Sequence, residues 1–321
     1  MKHLLTLFAI LVALSSSAFA ADGNYPTKPV RIIVPTAPGG GVDVLARLIG
    51  QKLGERFGEQ FFIDNRPGAA GIIGTRTVTA SAPDGYTLLM APSSLAITAA
   101  IKKKMPYDLV RDLTPIMSVA STPYALIVNP SLPVQSVPDL IAYAKANPDR
   151  LNVSSAGVGS ASHLAAELFD TMASIKMTHV PNKGMGPAMV DVLGGQVSVL
   201  FAGLPASLTA EKAGTVRVLA VAGPTRSVLL PEKPTIAEAG LPGYEVDNWI
   251  GMLAPAGLDP AIVTRLNSEI RAVLDAQDIK QKLIELGFEP VGGTPTAFSA
   301  QLASDVKKWG EIAKKAGVSE D

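Results

Sequence analysis

A strand, a glycine turn and a helix placed end to end between Val30 and Phe57 constrain this chain most. Val30 to Val34 (VRIIV) is a β-branched run of the kind that forms a buried strand, and it stops at the Pro/Gly cluster Pro35 to Gly41. Beyond the cluster, Val42, Leu45, Ala46, Ile49, Leu53 and Phe57 recur at helical spacing and give the next segment one apolar face. Such a turn lies at the carboxyl end of a strand and the amino end of a helix. Unpaired N–H groups and the positive end of the helix dipole meet whatever approaches there, and glycine lets a ligand come close to the main chain. The arrangement suits an anion. It also serves as a plain tight connection, and the glycines alone do not separate the two uses.

The ends and the composition set the context. Lys2 and His3, the apolar run Leu4 to Leu14 and the small residues ending in Ala18-Phe19-Ala20 form the pattern of a secretory signal over residues 1–20. Cleavage is expected after Ala20, giving an exported, periplasmic protein. That apolar run is too short to span a bilayer, and no later run is long enough, so the mature chain is not expected to be membrane-spanning. Loss of Lys2 leaves 27 of the 28 basic side chains against 28 acidic ones, a net charge near −1 that gives no reason to expect nucleic acid. There is no cysteine, so an exported chain must hold together by burying apolar surface, for which roughly 300 residues are ample. With His163 and His179 the only histidines left after cleavage, neither a metal nor a cofactor is expected. A monomer of about two α/β domains fits the length.

Along the chain, Phe61 to Ile63 reads as a second strand that closes a parallel β-α-β unit. Arg66 follows it, as an anion clamp or as a partner of Asp64. Tyr86 to Met90 is a third strand. Ser93 and Ser94 come just after it, at the edge where open α/β sheets bind ligands, and helix capping is an equally good use of them. Two apolar runs between Leu113 and Val128, broken at Ser121-Thr122-Pro123, read as a passage from one lobe to another, with Tyr244 to Pro255 as the return.

After Asn129 the pattern restarts. A helix runs from Ser136 to about Ala146, Leu151 to Ser155 is a strand, AGVGSAS is a glycine turn, and a helix begins near His163. The second occurrence of strand, glycine turn and helix makes Gly157, Val158, Gly159 and Ser160 the candidate opposite jaw of a shared cleft, with Ser154 at the strand end. His163, in a helix's first turn, is expected neutral and in a capping role. Asn182 and Lys183, and the strand end Ala202-Gly203, also fall near the prospective rim. Lys183 either counters an anion or is simply solvated. Ala261 to Leu286 is an amphipathic helical region and Ala297 to Ala316 a terminal helix. Trp249 reads as core or as hinge lining.

The segments TAPGGGVDVLAR, DNRPGAAGIIG, APDGYTLL, GVGSASHLAAELF, NKGMGPAMVDVLGGQV, LPGYEVDNWIGMLAPAG and FEPVGGTP resemble, in order over essentially the whole mature chain, the Bug-type (TctC-like) substrate-binding receptors of tripartite tricarboxylate transporters. The resemblance implies an α/β fold of two lobes, a type II periplasmic binding protein that closes like a flytrap. Each lobe is a mixed sheet flanked by helices, and the chain crosses twice between them. Lobe 1 is then 21–122 plus 246–321, and lobe 2 is 123–245. It implies capture of a small organic carboxylate and delivery to transporter membrane subunits, or to a sensor partner if the receptor is an orphan. The family holds a carboxylate largely through main-chain N–H groups and water, which on this chain means Ala37 to Asp43 and Gly157 to His163.

The expected ligand-binding residues are therefore Thr36, Ala37, Pro38, Gly39, Gly40, Gly41 and Asp43 on one turn, and Ser93 and Ser94 beside it. Opposite them come Ser154, Gly157, Val158, Gly159, Ser160 and His163, with Asn182, Lys183, Ala202 and Gly203 at the rim. Relatives often carry an Asp-Asn pair at Ala202-Gly203 and aromatics at Asn182 and Thr36, so this pocket should be roomier and less charged. Asp43 would repel a bound anion if it faced the cleft, and is expected to hold its loop through main-chain N–H groups instead. The rival class is an enzyme, such as a hydrolase using Ser160 or Ser162 with His163. The chain has no G-x-S-x-G, no Walker lysine and no complete G-x-G-x-x-G after the first strand, so catalysis is not expected.

Overall fold

The computed structural model describes residues 25–318, so the expected signal sequence and its cleavage point lie outside the described residues. The chain opens with β1 (Val30–Val34), α1 (Gly41–Phe57), β2 (Phe61–Asn65), a 3-10 turn (Ala69–Gly71), α2 (Ile72–Thr79), β3 (Thr87–Pro92), α3 (Ser94–Ile101) and β4 (Leu113–Ser121). It continues as β5 (Tyr124–Val128), α4 (Val137–Ala146), β6 (Asn152–Ser155), α5 (Ala161–Ala173), β7 (Thr178–Pro181), α6 (Met185–Leu193), β8 (Val199–Gly203), α7 (Leu204–Lys212) and β9 (Arg217–Val221). The return is β10 (Trp249–Pro255), α8 (Pro260–Asp275), α9 (Gln277–Glu285), β11 (Glu289–Gly292) and α10 (Pro295–Lys315).

The strands form two mixed sheets, in the orders β11-β4-β10-β3-β1-β2 and β7-β6-β8-β5-β9. The two share one plan. In the first, β1 pairs in parallel with β2 and β3, and the returning strand β10 lies antiparallel between β3 and β4. In the second, β6 pairs in parallel with β7 and β8, and the incoming strand β5 lies antiparallel between β8 and β9. The repeated strand–glycine turn–helix pattern is thus the same corner of two similar lobes. Each lobe's parallel strands are joined through helices, as parallel pairing requires.

Local sequence explains the boundaries. Gly58, in the left-handed region at φ 74°, ends α1, and its N–H bonds to Gly54 O at 3.0 Å. Ser136, Ser160 and Thr294 cap α4, α5 and α10 by accepting from the main chain three residues on. The amphipathic region after Ala261 is two helices rather than one, because Ala276 takes an extended ψ of 130° between them. The short edge strands β7 and β11 carry no apolar run and are visible only through their neighbours.

The chain passes between the sheets twice, side by side. Thr122 N–H donates to Asn248 O at 3.1 Å, and Ser121 Oγ donates to Asp247 Oδ1 at 2.7 Å. Behind this junction the apolar interior is continuous across both lobes. Helix α10 packs on α3 and also reaches α5, and Tyr244 OH donates to Ala165 O at 3.0 Å among the rings of Phe169 and Phe201. Trp249 is fully buried, edge-on to Phe298, with its indole N–H on Asp305 Oδ2 at 2.7 Å. It is a core residue.

One buried carboxyl gives this interior a pH dependence. On α5, Asp170 accepts from Met177 N–H at 2.7 Å through Oδ2, while Oδ1 is buried without a partner. Burial, with the nearby Glu167 charge adding to it, pushes the carboxyl up to about 7. A folded-state value above the unfolded one means a contribution fully present below the unfolded pKa, near 4, and lost as pH rises through about 7. Between about pH 4 and about pH 8, the chain is expected to lose on the order of 2–4 kcal/mol relative to an Asp170→Asn variant, read from urea unfolding midpoints. Equal pH slopes for the two proteins would contradict the assignment.

Candidate functional site

The turns after the parallel strands of both sheets gather at one edge, and a cleft of about 460 Å³ opens between them. Pro35 and Thr36 reach it from the β1–α1 turn. From the β2–α2 connection come Pro67, Gly68, Ala70 and Gly71, and from β3 and α3 come Pro92, Ser94, Ile97, Thr98 and Ile101. The facing wall is Val158, Gly159, Ser160 and Ala161 at the start of α5. The amino ends of α2, α3 and α5 therefore converge on one space, presenting main-chain N–H groups and positive dipole ends to it.

Of the residues expected at the site, Thr36, Ser94, Val158, Gly159 and Ser160 border this cleft. The remainder of the first turn, Ala37 to Gly41, lies exposed outside it, with Gly41 facing the Phe288 ring. Asp43 is buried and braces that turn. Its Oδ2 accepts from Gly39 N–H at 2.9 Å and Arg47 Nε at 3.0 Å, and its Oδ1 from Asn65 Nδ2 at 3.0 Å. Burial pushes the Asp43 carboxyl up, and the Arg47, Gly39 and Asn65 bonds outweigh that and hold it below the usual carboxylate range. Ser93 is taken up by the lobe junction, donating its N–H to Trp249 O at 2.9 Å and its Oγ to Asn248 Oδ1 at 2.8 Å. Arg66 lies on Asp64, with Nε 3.0 Å from both carboxylate oxygens.

Across the cleft, Gly157 O accepts from Ser160 Oγ at 2.7 Å, and Gly159 N–H donates to His163 Nδ1 at 3.1 Å. That bond leaves the His163 proton on Nε2, which faces Glu167 Oε1 at 3.4 Å. Neither imidazole nitrogen of His163 bonds to Ser160 Oγ, which instead accepts from His163 N–H at 3.3 Å. The Ser–His side-chain pair lies deeper: Ser155 Oγ is 2.6 Å from His179 Nε2, and the His179 ring stacks 3.8 Å from that of His163. Burial, then His163, lowers His179 to about 4. Ser154 is fully buried and accepts from Asn182 Nδ2, which also reaches Asp191. Lys183 is exposed, Ala202 is buried within β8, and Gly203 ends β8 as the N-cap of α7. None of Ser154, Asn182, Lys183, Ala202 and Gly203 borders the cleft. Among the described residues, no group of three or more His, Asp or Glu side chains is placed to hold a metal ion.

A family model described as the tripartite tricarboxylate transporter family receptor matches residues 45–318. The chain belongs to this receptor family. Protein BugT of Bordetella pertussis is 35% identical to the receptor over 320 residues, covering 99% of this chain and 98% of that one. The solved structure of R. palustris Rpa4515 with adipate is 40% identical, covers 92% of the receptor and 99% of its own chain, and superposes with a TM-score of 0.73. A TctC solute-binding protein from Polaromonas, solved with no ligand, is 26% identical, covers 91% and 99%, and superposes with a TM-score of 0.83.

The receptor's β2–α2 connection is, with Ile97, Thr98 and Ile101 of α3, a part of the cleft that sequence reasoning missed. Gly68, Ala69, Ala70 and Gly71 run consecutively through positive φ, at 126°, 48°, 52° and 89°. For the two alanines this costs roughly 1–2 kcal/mol each, and strain of this kind persists where a site is built. A signal for it was present: PGAAG is a second glycine turn after a parallel strand of the same sheet.

Two outcomes follow for the receptor. Asp43→Asn is expected to lower stability by about 2–3 kcal/mol, because the amide turns a donor toward three donors. As a carboxyl whose folded pKa is depressed, Asp43 contributes stability above the ordinary carboxylate range and loses it on acidification. The stability gap between Asp43→Asn and the parent, measured by urea unfolding, should therefore narrow at low pH. Ala70→Gly is expected to raise stability by roughly 0.5–1 kcal/mol by relieving the left-handed backbone, read as a shift in the unfolding midpoint.

Proposed function

We propose that the receptor captures a small organic carboxylate between its lobes and presents it to the membrane subunits of a tripartite tricarboxylate-type transporter. The observation that carries this reading is the convergence of the α2, α3 and α5 amino ends on one cleft whose walls come from both sheets. A carboxylate there exchanges its water shell for preorganised N–H and hydroxyl donors. A relative 40% identical is titled as holding adipate, which supports the carboxylate class.

Residues 21–122 with 246–321, and 123–245, are the two bodies that close about the crossings at Thr122 and Asn248. The structure superposes better on the unliganded Polaromonas protein than on the adipate complex, although its identity to the former is lower. That ordering supports an open arrangement here. In this reading Ala37 to Gly41, Gly157 and His163 approach the ligand only on closure. A ligand that binds the closed form better shifts the lobes by its differential affinity, and the transporter reads that shift.

The protein works as a periplasmic monomer after loss of residues 1–20, and it performs no chemistry on its ligand. The Ser160 hydroxyl, engaged by Gly157 O and His163 N–H rather than by an imidazole nitrogen, supports the last point. Calorimetric titration of refolded, ligand-stripped protein with mono-, di- and tricarboxylates tests the proposal. Stoichiometric heat with at least one carboxylate, recovered unchanged, is the expected result. A folded protein that binds none, or that converts one, would overturn it.

A further inference from the structure

The walls of the cleft differ sharply in chemistry from what a polyanion needs. Among the described residues, no Lys, Arg, His, Asp or Glu side chain lines it. Of the basic residues the sequence offered to the site, Arg66 lies on Asp64 and Lys183 lies out in solvent. Two side-chain hydroxyls on the first lobe's wall have no bond to another described group: the exposed Ser94 Oγ and the Thr36 Oγ1, which is buried without a partner. Thr98 Oγ1 is already engaged by Ser94 O at 3.0 Å, and Ser160 Oγ by Gly157 O. The polar equipment on the page thus amounts to a few neutral donors and the helix amino ends, enough for one carboxylate. A second or third compact negative charge would lose its water with no cation to replace it.

The remaining lining is apolar. Ile97 and Ile101, one helical turn apart on α3, form a floor with Pro35, and Val158 stands on the opposite wall with 63% of its surface exposed. An exposed valine aimed into a cleft is apolar surface awaiting cover. The cavity of about 460 Å³ also exceeds what a two- to four-carbon acid fills.

We infer that the receptor selects acids in which one carboxylate is joined to an extended apolar body, and discriminates against compact di- and tricarboxylates. The inference rests on the carboxylate reading above and sharpens it. The carboxylate sits at the Thr36, Ser94 and Ser160 end, and the hydrocarbon body lies over Ile97 and Ile101 and is covered by Val158 on closure. Burial of one methylene contributes about 0.8 kcal/mol, which is close to a fourfold gain in affinity per carbon.

The test is a chain-length series of straight monocarboxylates from acetate to hexanoate, with malate and citrate beside it, titrated calorimetrically into ligand-stripped protein. Affinity is expected to rise roughly fourfold per methylene, with hexanoate binding more tightly than malate or citrate. Val158→Ser, at an exposed position the fold does not depend on, should flatten the series at its long end, reducing the gain per methylene several-fold relative to the parent. Thr36→Val should weaken every member by a similar factor. A flat series, or malate or citrate binding more tightly than hexanoate, would overturn the inference and leave the carboxylate reading standing. Failure of every acid to bind would overturn both.

Discussion

The bond from Thr122 N–H to Asn248 O, 3.1 Å long, ties together the only two places among the described residues where the chain passes from one sheet to the other. Everything else about the molecule is arranged around that junction. On one side β4 and β10 run on as neighbours in the first sheet, and on the other β5 occupies the matching antiparallel place in the second. The two crossings lie side by side, and behind them the apolar interior runs on from one lobe into the other. Ser93, at the edge of the cleft, bonds to Asn248, so the ligand-facing edge of the first sheet is joined directly to the pivot.

The cleft draws its character from the same plan. A parallel strand followed by a helix places the helix amino end at the sheet's carboxyl edge, and two similar lobes place two such edges opposite each other. The resulting cleft presents helix amino ends, and among the described residues no cationic side chain lines it. Charged side chains are used instead as braces behind the turns. Asp43 holds Gly39 and is itself held by Arg47 and Asn65, and Asp64 engages Arg66. This division leaves the walls free to be apolar where Ile97, Ile101 and Val158 stand.

Much of the fold was legible in the chain because its signals are local. VRIIV in β1 and YALIV in β5 announce buried strands by composition alone. The role of Asp43 followed from charge: a carboxylate in a helix's first turn is useful behind an anion site and harmful in front of it. The helical break at Ala276 was not legible, since alanine favours helix and only packing draws its ψ to 130°. The short edge strands β7 and β11 were equally silent, because an edge strand takes its shape from its partner.

By itself, then, the sequence determined an α/β chain with two glycine-turn corners suited to an anion, and it read the passages between lobes into Ser121-Thr122-Pro123 and Tyr244 to Pro255. Tertiary structure alone decided which residues meet in the cleft. Ser93 and Ser94 are chemically identical neighbours, yet one is bound to Asn248, 155 positions away, and the other faces the cavity. Ala69 and Ala70 are ordinary helix formers held in the left-handed region by the turn between β2 and α2. The physical reason is range: periodicity, capping and turn chemistry depend on neighbours within a few residues, whereas facing a cavity depends on partners brought close only by the packing of two sheets.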